Sequence, residues 1–496
     1  MGNVLITPPV TAFVLIAYAL LMILSVKYFT RREGNRKEYL IANRKLSIFR
    51  GASSIAVSWI WAPAIFFCAV KAYTQGLPGA FWFIVPNVVC FATFAIVALN
   101  IRKQYDHATS LPDYFIQRFK GHRGAHIASL TVMIGIDVVA LLFNTFIGSF
   151  LLNLLSGIPI LWGMVIMMGI ALIYSVWRGL PASVVTDIIQ LAVIFLIAFL
   201  LVPWVIIKAG GFQSIIDGLG GKTGEFKNIF NASVAYSFGI PSTLALLSVP
   251  LADQMFYQRA MACPTKTLMK TFLLGGLLFG IVPIVLSIFG FIAAGSEMTE
   301  VLSSKQFPLI LVNVEVVKHF LPAWTLIGFV FLAISALSST LDSALCALGS
   351  IWGQDIYGRY IKPNASDSDS IKSIRISVIV IGISVMILAI LLRNQLSGDV
   401  LFNFNGIVAS AIVPGIILTV FWKKTKAIAI TVGTIVALII GIPFGWWANV
   451  GLHVHGIEEM VNFVVLAAIG TPIISTILVI VISLFTNDTV KNVKSE

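Results

Sequence analysis

Thirteen apolar runs, each of about 18 residues or more, divide this chain at roughly 10–28, 47–72, 77–100, 126–156, 159–177, 181–207, 234–258, 266–295, 322–352, 371–392, 399–422, 427–446 and 461–485. A helix rises about 1.5 Å per residue, so such a run can cross a hydrocarbon layer about 30 Å thick. Strands of a membrane β-barrel would be only about 10 residues long and would alternate apolar with polar positions. These runs do neither. Of the 496 residues, 58% are hydrophobic and 11% charged, and the mean hydropathy is +0.97. The chain therefore reads as an all-α polytopic membrane protein whose solvent is the lipid bilayer.

A formal net charge of +12 could point to nucleic acid, but the placement of the charges points to topology instead. With the N-terminus outside, 26 of the 33 Lys and Arg fall in loops on the C-terminal side of the membrane and 7 in the opposite loops. This is the positive-inside asymmetry. It predicts a multi-pass protein of the plasma (inner) membrane with a cytoplasmic C-terminus. Residues 1–9 lack the basic start and small-residue cleavage site of a signal peptide, so the first run is expected to be a retained span. Cys68, Cys90, Cys263 and Cys346 form no CxxC pair, which argues against a disulfide framework and a zinc site.

No phosphate-binding loop, no HExxH and no Ser/His/Asp constellation is found, so the chain is not read as an enzyme. Without a nucleotide site, energy, if used, must come from an ion gradient. His453 and His455 read as surface residues of an outer loop. The tail at 487–496 is too short for a signalling domain, which weighs against a membrane sensor and implies no obligatory protein partner.

Within this apolar background, the segment 336–343 places Ala336, Ser339 and Ser343 at helical spacing, with Thr340 and Asp342 alongside. Hydroxyls and a carboxylate are costly in lipid, and a hard cation seeking oxygen ligands is one reason to keep them. Asp137 and Asp187 also fall inside apolar runs. The run at 47–72 carries Ser53, Ser54 and Ser58 ahead of Pro63, and a break is expected near 57–63 because proline removes a backbone donor. The run at 234–258 carries Pro241 and Pro250 and lies five spans later. Two proline-interrupted segments in corresponding positions of two five-span halves point to inverted repeats with a site at the midplane. The outer loops at 208–233 and 296–321 read as lids or short re-entrant helices.

In this order, the broken segment 51–72, the segment 177–190 with Thr186, Asp187 and Gln190, the pairs Asp253-Gln254 and Gln258-Arg259, and Ser339-Thr340-Leu341-Asp342-Ser343 followed by Asp355 and Tyr357 resemble the sodium/solute symporter family over nearly the whole chain. The resemblance implies a LeuT-type 5+5 inverted repeat: a leading helix and basic loop (1–46), repeats at 47–207 and 234–422 joined by an outer loop (208–233), and two trailing helices (423–496). It implies a sodium site on the carbonyls of Ala56, Trp59 and Ala336 and the hydroxyls of Ser339 and Thr340. Five uncharged oxygens suit a monovalent ion better than calcium. A second sodium site, present in part of the family, would use Asp187, Ser339, Asp342 and Ser343; the sialic-acid branch has serine where this chain has Asp342.

The resemblance places a solute pocket among Ser58, Trp59, Ile60, Trp61 and Pro63, with Asp137 or Asn144 and Asp253 or Gln254. Trp59-Ile60-Trp61-Ala62 with Gly79-Ala80-Phe81-Trp82 looks most like the urea-transporting branch, while Ser58 stands where the proline branch is acidic. Indole walls suit a small neutral or zwitterionic solute. The expectation is sodium-coupled import of a urea-like or amino-acid-like solute. The alternatives are a proton-coupled transporter of the same fold and a transporter-like sensor.

Overall fold

In lipid every backbone N–H and C=O must find a partner within the protein, so an interrupted helix needs a local cause and a compensating contact. The computed structural model describes residues 6–30, 35–296, 298, 302, 309–395, 397–450 and 457–486; His453, His455 and the tail from 487 lie outside the described residues. The regular structure among the described residues is all helical, with no strand. In chain order the helices are α1 (Pro8–Phe29), α2 (Arg36–Ile41), α3 (Ile48–Ser58), α4 (Pro63–Gln104), α5 (Leu111–Arg118), α6 (Arg123–Ser156), α7 (Ile160–Arg178), α8 (Leu180–Lys208) and α9 (Phe212–Gly218). They continue as α10 (Ala232–Ala252), α11 (Gln254–Ala262), α12 (Leu268–Ala294), α13 (Val312–Phe320), α14 (Thr325–Ile361), α15 (Asp367–Leu392), α16 (Gly398–Ser410), α17 (Val413–Phe421), α18 (Ala427–Val450) and α19 (Ile457–Phe485).

Twelve helices among the described residues are long and apolar enough to cross a membrane on their own. The thirteenth apolar run differs because it is split. Its first half is α3, and its second half is the opening of α4, which turns at Gly76 before crossing back. Gly76 has φ +57° and ψ −146°, and a Cβ there would sit 2.5 Å from the Leu219 carbonyl oxygen. Only glycine accommodates both constraints. Leu219 belongs to the Gly-rich loop at 208–233, which folds onto this turn through Leu77 N–H to Leu219 O (2.9 Å) and Lys222 N–H to Tyr73 O (2.7 Å). Short helices α9 and α13 stand in the loops at 208–233 and 296–321, and α13 reaches the core through Asn313 Nδ2, which donates to Ile65 O at 2.8 Å.

The run at 322–352 continues as helix to Ile361, about two and a half turns further. These turns carry Asp355 and Arg359, which pair with His126 (3.5 Å) and Asp113 (2.7 Å) on the side carrying the basic loops. Arg102 closes the same end by donating to the carbonyls of Ala260 (2.9 Å) and Cys263 (3.1 Å) at the end of α11. Cations are favoured at a helix C-terminus, where carbonyls lack intrahelical partners.

The leading helix α1 docks on the centre of the molecule, where Tyr18 hydroxyl meets Ser338 and accepts from Gln190 Nε2 at 2.8 Å. Helix α14 is the most enclosed of the spans, with 94% of its apolar window buried. The trailing pair α18 and α19 packs together at the periphery. Ser475 on α19 donates to Ala411 O (2.7 Å), a carbonyl freed between α16 and α17.

Candidate functional site

Helix α3 ends at Ser58, Trp59 has ψ −5°, and helical structure resumes only at Pro63, through a wide π-type turn. Proline supplies no N–H and suits a first helical position, so it restarts the helix at no cost in donors. The Ala62 N–H is claimed by Asn144 Oδ1 of α6 at 2.9 Å. What the break leaves over is a set of carbonyls, and α14 faces them with hydroxyls. Ser339 Oγ lies 2.9 Å from Val57 O and 2.7 Å from Ala336 O. Thr340 Oγ1 lies 3.2 Å from Ser58 O and 3.5 Å from Ala336 O. Ala56 and Trp59 flank the two carbonyls, with Trp59 N–H donating to Ala56 O at 3.2 Å. The structure thus joins Ser339 and Thr340 to Ala336 O and to the carbonyls of Val57 and Ser58, which lie between the expected Ala56 and Trp59; all five expected residues are at most 2% exposed.

Above the break lies an aromatic box. Trp59 and Trp61 stack at 5.2 Å, Trp61 packs against Phe143 (5.4 Å) and Phe402 (6.2 Å), and Phe67 stacks on Phe402 (5.7 Å). Phe402 and Phe143 come from α16 and α6. Trp59 Nε1 donates to Asn87 Oδ1 at 2.8 Å, but the buried Trp61 Nε1 has no partner among the described residues. Ile60 and Pro63 are buried at the break without polar side chains. Ser58 turns away from the box: its hydroxyl donates to Ser54 O (2.6 Å) and meets Ser343 Oγ (3.0 Å).

The second interruption is at Asp253, between α10 and α11. Pro250 opens a tight turn, and Asp253 Oδ1 caps α11 by accepting from Met255 N–H at 2.6 Å. Asp253 Oδ2, Gln254 Oε1 and both oxygens of Asp137 are buried without hydrogen-bond partners among the described residues, while the carboxyl groups of Asp137 and Asp253 face one another. Gln254 Nε2 reaches Ser350 Oγ at 3.4 Å. Asp137 lies two helical turns from Asn144 on α6, so the residues expected to line one pocket divide into two groups. Asn144 and Trp61 lie at the first break; Asp137, Asp253 and Gln254 lie at the second.

Asp187, Asp342 and Ser343 also converge, about a residue the sequence reading did not assign to the site. Arg259, the last-turn arginine of α11, is completely buried and forms an ion pair with Asp187 at 3.1 Å. It also donates to Ser54 (2.8 Å), Ser343 (2.8 Å), Ser183 (3.4 Å) and Met255 O (3.1 Å). Position at the end of an apolar run made Arg259 look like a loop charge. The available signal was the stretch after it, Ala260-Met261-Ala262-Cys263, which contains no polar side chain to carry it into water.

The chain matches the model of the sodium:solute symporter family over residues 39–441. Among curated proteins it is 25% identical over 459 residues to the probable urea active transporter 2 of Schizosaccharomyces pombe, covering 86% of this chain and 66% of that relative. It is 26% identical over 445 residues to the high-affinity proline transporter PutP of Bacillus subtilis, covering 86% and 90%. Rice, Oryza sativa subsp. japonica, has a similar protein named urea-proton symporter DUR3, 23% identical over 446 residues and covering 82% and 59%. This chain thus spans about two thirds of the length of the fission-yeast relative. In fold it is similar to a sodium-coupled sialic acid symporter in a substrate-bound outward-open state, with a TM-score of 0.75 at 20% identity over 96% of this chain and 98% of the other. It also resembles the nucleobase-cation symporter Mhp1, with a TM-score of 0.53 at 15% identity over 92% and 98%. The helices, with two interrupted spans facing α14, are those of the LeuT-type fold, and with a family model matched over residues 39–441 the chain belongs to the sodium:solute symporter family.

Proposed function

We propose that this protein is a sodium-coupled secondary active symporter that imports a small polar organic solute, urea-like or amino-acid-like, by alternating access. The observation that carries this reading is the meeting of the Ser339 and Thr340 hydroxyls with carbonyls of the broken helix. Hydroxyl and carbonyl oxygens without formal charge are a donor set for a monovalent cation. Sodium is cargo here, held by the carbonyls of Ala56, Trp59 and Ala336 and the two hydroxyls. A cation shared by α3 and α14 ties the broken helix to its neighbour, and the aromatic box lies on that same broken helix. Whatever solute binds against Trp59, Trp61 and Asn144 is thereby linked to the ion, and linkage makes the effect reciprocal.

Trp61 Nε1, a buried donor awaiting an acceptor, suits a carbonyl or carboxylate oxygen of the solute. Urea and proline both offer one, and relatives are named for each.

A second reading, proton coupling, is favoured by one observation: the facing carboxyl groups of Asp137 and Asp253, which have three buried oxygens without hydrogen-bond partners among the described residues. Two buried carboxylates in contact can share a proton. Uptake into proteoliposomes driven separately by a sodium and a proton gradient decides between the readings. Under the sodium reading, the Ser339→Ala/Thr340→Ala variant needs on the order of a hundredfold more sodium or beyond, since two oxygen contacts to a charge are lost at about 1.5–3 kcal/mol each and every 1.4 kcal/mol is about tenfold. Asp137→Asn then leaves the sodium requirement unchanged. Uptake that follows the proton gradient alone and is lost in Asp137→Asn overturns it. Indifference to both gradients removes both.

A further inference from the structure

Asp187 and Asp342 are two fully buried carboxylates on facing helices, and one fully buried guanidinium serves both. Arg259 contacts Asp187 directly. It reaches Asp342 through intermediaries: Ser343 Oγ and Ser183 Oγ accept from Arg259 Nη2 and donate to Asp342 Oδ1 at 3.2 and 2.9 Å. Ser54 does the same toward Asp187, accepting from Arg259 Nε and donating to Asp187 Oδ2. Thr186 Oγ1 adds a further hydroxyl to Asp342 at 3.2 Å. Three hydroxyls from three helices therefore turn lone pairs toward the guanidinium and protons toward the carboxylates. This is how oxygen ligands arrange themselves around a cation.

We propose that Arg259 is the resident cation of this oxygen cage, supplying from the chain itself the positive charge that Asp187 and Asp342 demand. The cage takes no mobile ion while the guanidinium fills it, so a transport cycle carries one coupling ion, bound at Ser339 and Thr340. The last clause rests on the sodium site proposed above; the occupancy of the cage by Arg259 does not. Removing the guanidinium leaves two buried carboxylates and three hydroxyl oxygens without a counter-charge, an arrangement too costly in a low-dielectric interior to persist empty. A hard monovalent cation is the ligand it then fits.

The test is the number of sodium ions bound per chain, measured with radioactive sodium on the purified full-length protein. Wild type is expected to bind one, and Arg259→Ala two. Adding Asp342→Asn to Arg259→Ala returns the count to one, while Arg259→Lys, which keeps the charge, stays at one. Arg259→Gln, closer in volume, is the second variant should the alanine protein fail to show a cooperative melt. Two ions in wild type, or no gain in a folded Arg259→Ala or Arg259→Gln protein, overturns the proposal. No sodium in wild type with one gained in Arg259→Ala and lost again with Asp342→Asn upholds the cage and overturns only the sodium site. An ordinary structural ion pair would lose stability on substitution but gain no ion.

Discussion

Asn144 shows how much can depend on one side chain in a membrane interior. Its Oδ1 accepts the Ala62 N–H at the break, and its Nδ2 donates to Ala140 O at 2.7 Å, so both ends of the amide are used. Asn144→Ala strands a buried donor, at a cost of about 1–3 kcal/mol. The expected result is a lower melting temperature and weaker solute binding. A melting temperature for Asn144→Ala equal to wild type would show that the break is held by other contacts. Among individual residues, the polar positions inside apolar runs were legible in the sequence, since Ser, Thr, Asn and Asp are costly there and stand out. Their pairing was not: Ser58 was expected in the solute pocket, yet its hydroxyl is turned to Ser54 and Ser343. Helical spacing tells which face a residue occupies on its own helix, but not which neighbour that face meets.

At the scale of elements, proline was an incomplete guide. Pro63 and Pro250 stand at real interruptions and Pro78 directly follows the Gly76 turn, whereas Pro86, Pro203, Pro283, Pro443 and Pro472 lie inside continuing helices. The difference is what surrounds the freed carbonyl. At Pro250 the chain takes up an extended residue, Asp253, and Tyr257 hydroxyl donates to Leu251 O at 3.0 Å. Such a partner is visible only once the helices are assembled. The Gly76 turn is the opposite case, where a backbone requirement fixes the residue. Gly76→Ala forces a left-handed φ on alanine and drives its Cβ against Leu219 O, so a loss of about 1–3 kcal/mol or more is expected. Gly169→Ala, whose added Cβ meets nothing within 4 Å, serves as the control. Equal thermal melts for the two variants would show that the outer loop does not rest on the turn.

For the whole molecule, the asymmetry of Lys and Arg predicts which face meets the cytoplasm. Lys222 lies exposed in the Gly-rich loop and Lys424 exposed after α17. Lys222→Cys in intact cells should react with a membrane-impermeant maleimide, and Lys424→Cys only after the membrane is opened; the native cysteines are all buried. The reverse pattern would invert the topology. The solvent, the helical class and the chemistry available can be read along the chain, because apolar run length and the cost of a polar atom in lipid are local properties. The company those residues keep is set by how the helices pack. Ser339 and Val57 are 282 positions apart and Arg259 and Asp187 are 72 apart, and no periodicity along the chain encodes such a meeting. Arg259 carries the lesson furthest. Counted along the chain it is one more positive charge near a membrane surface; packed into the bundle, where a charge must find its counter-charge or be excluded, it becomes the centre of a buried polar site.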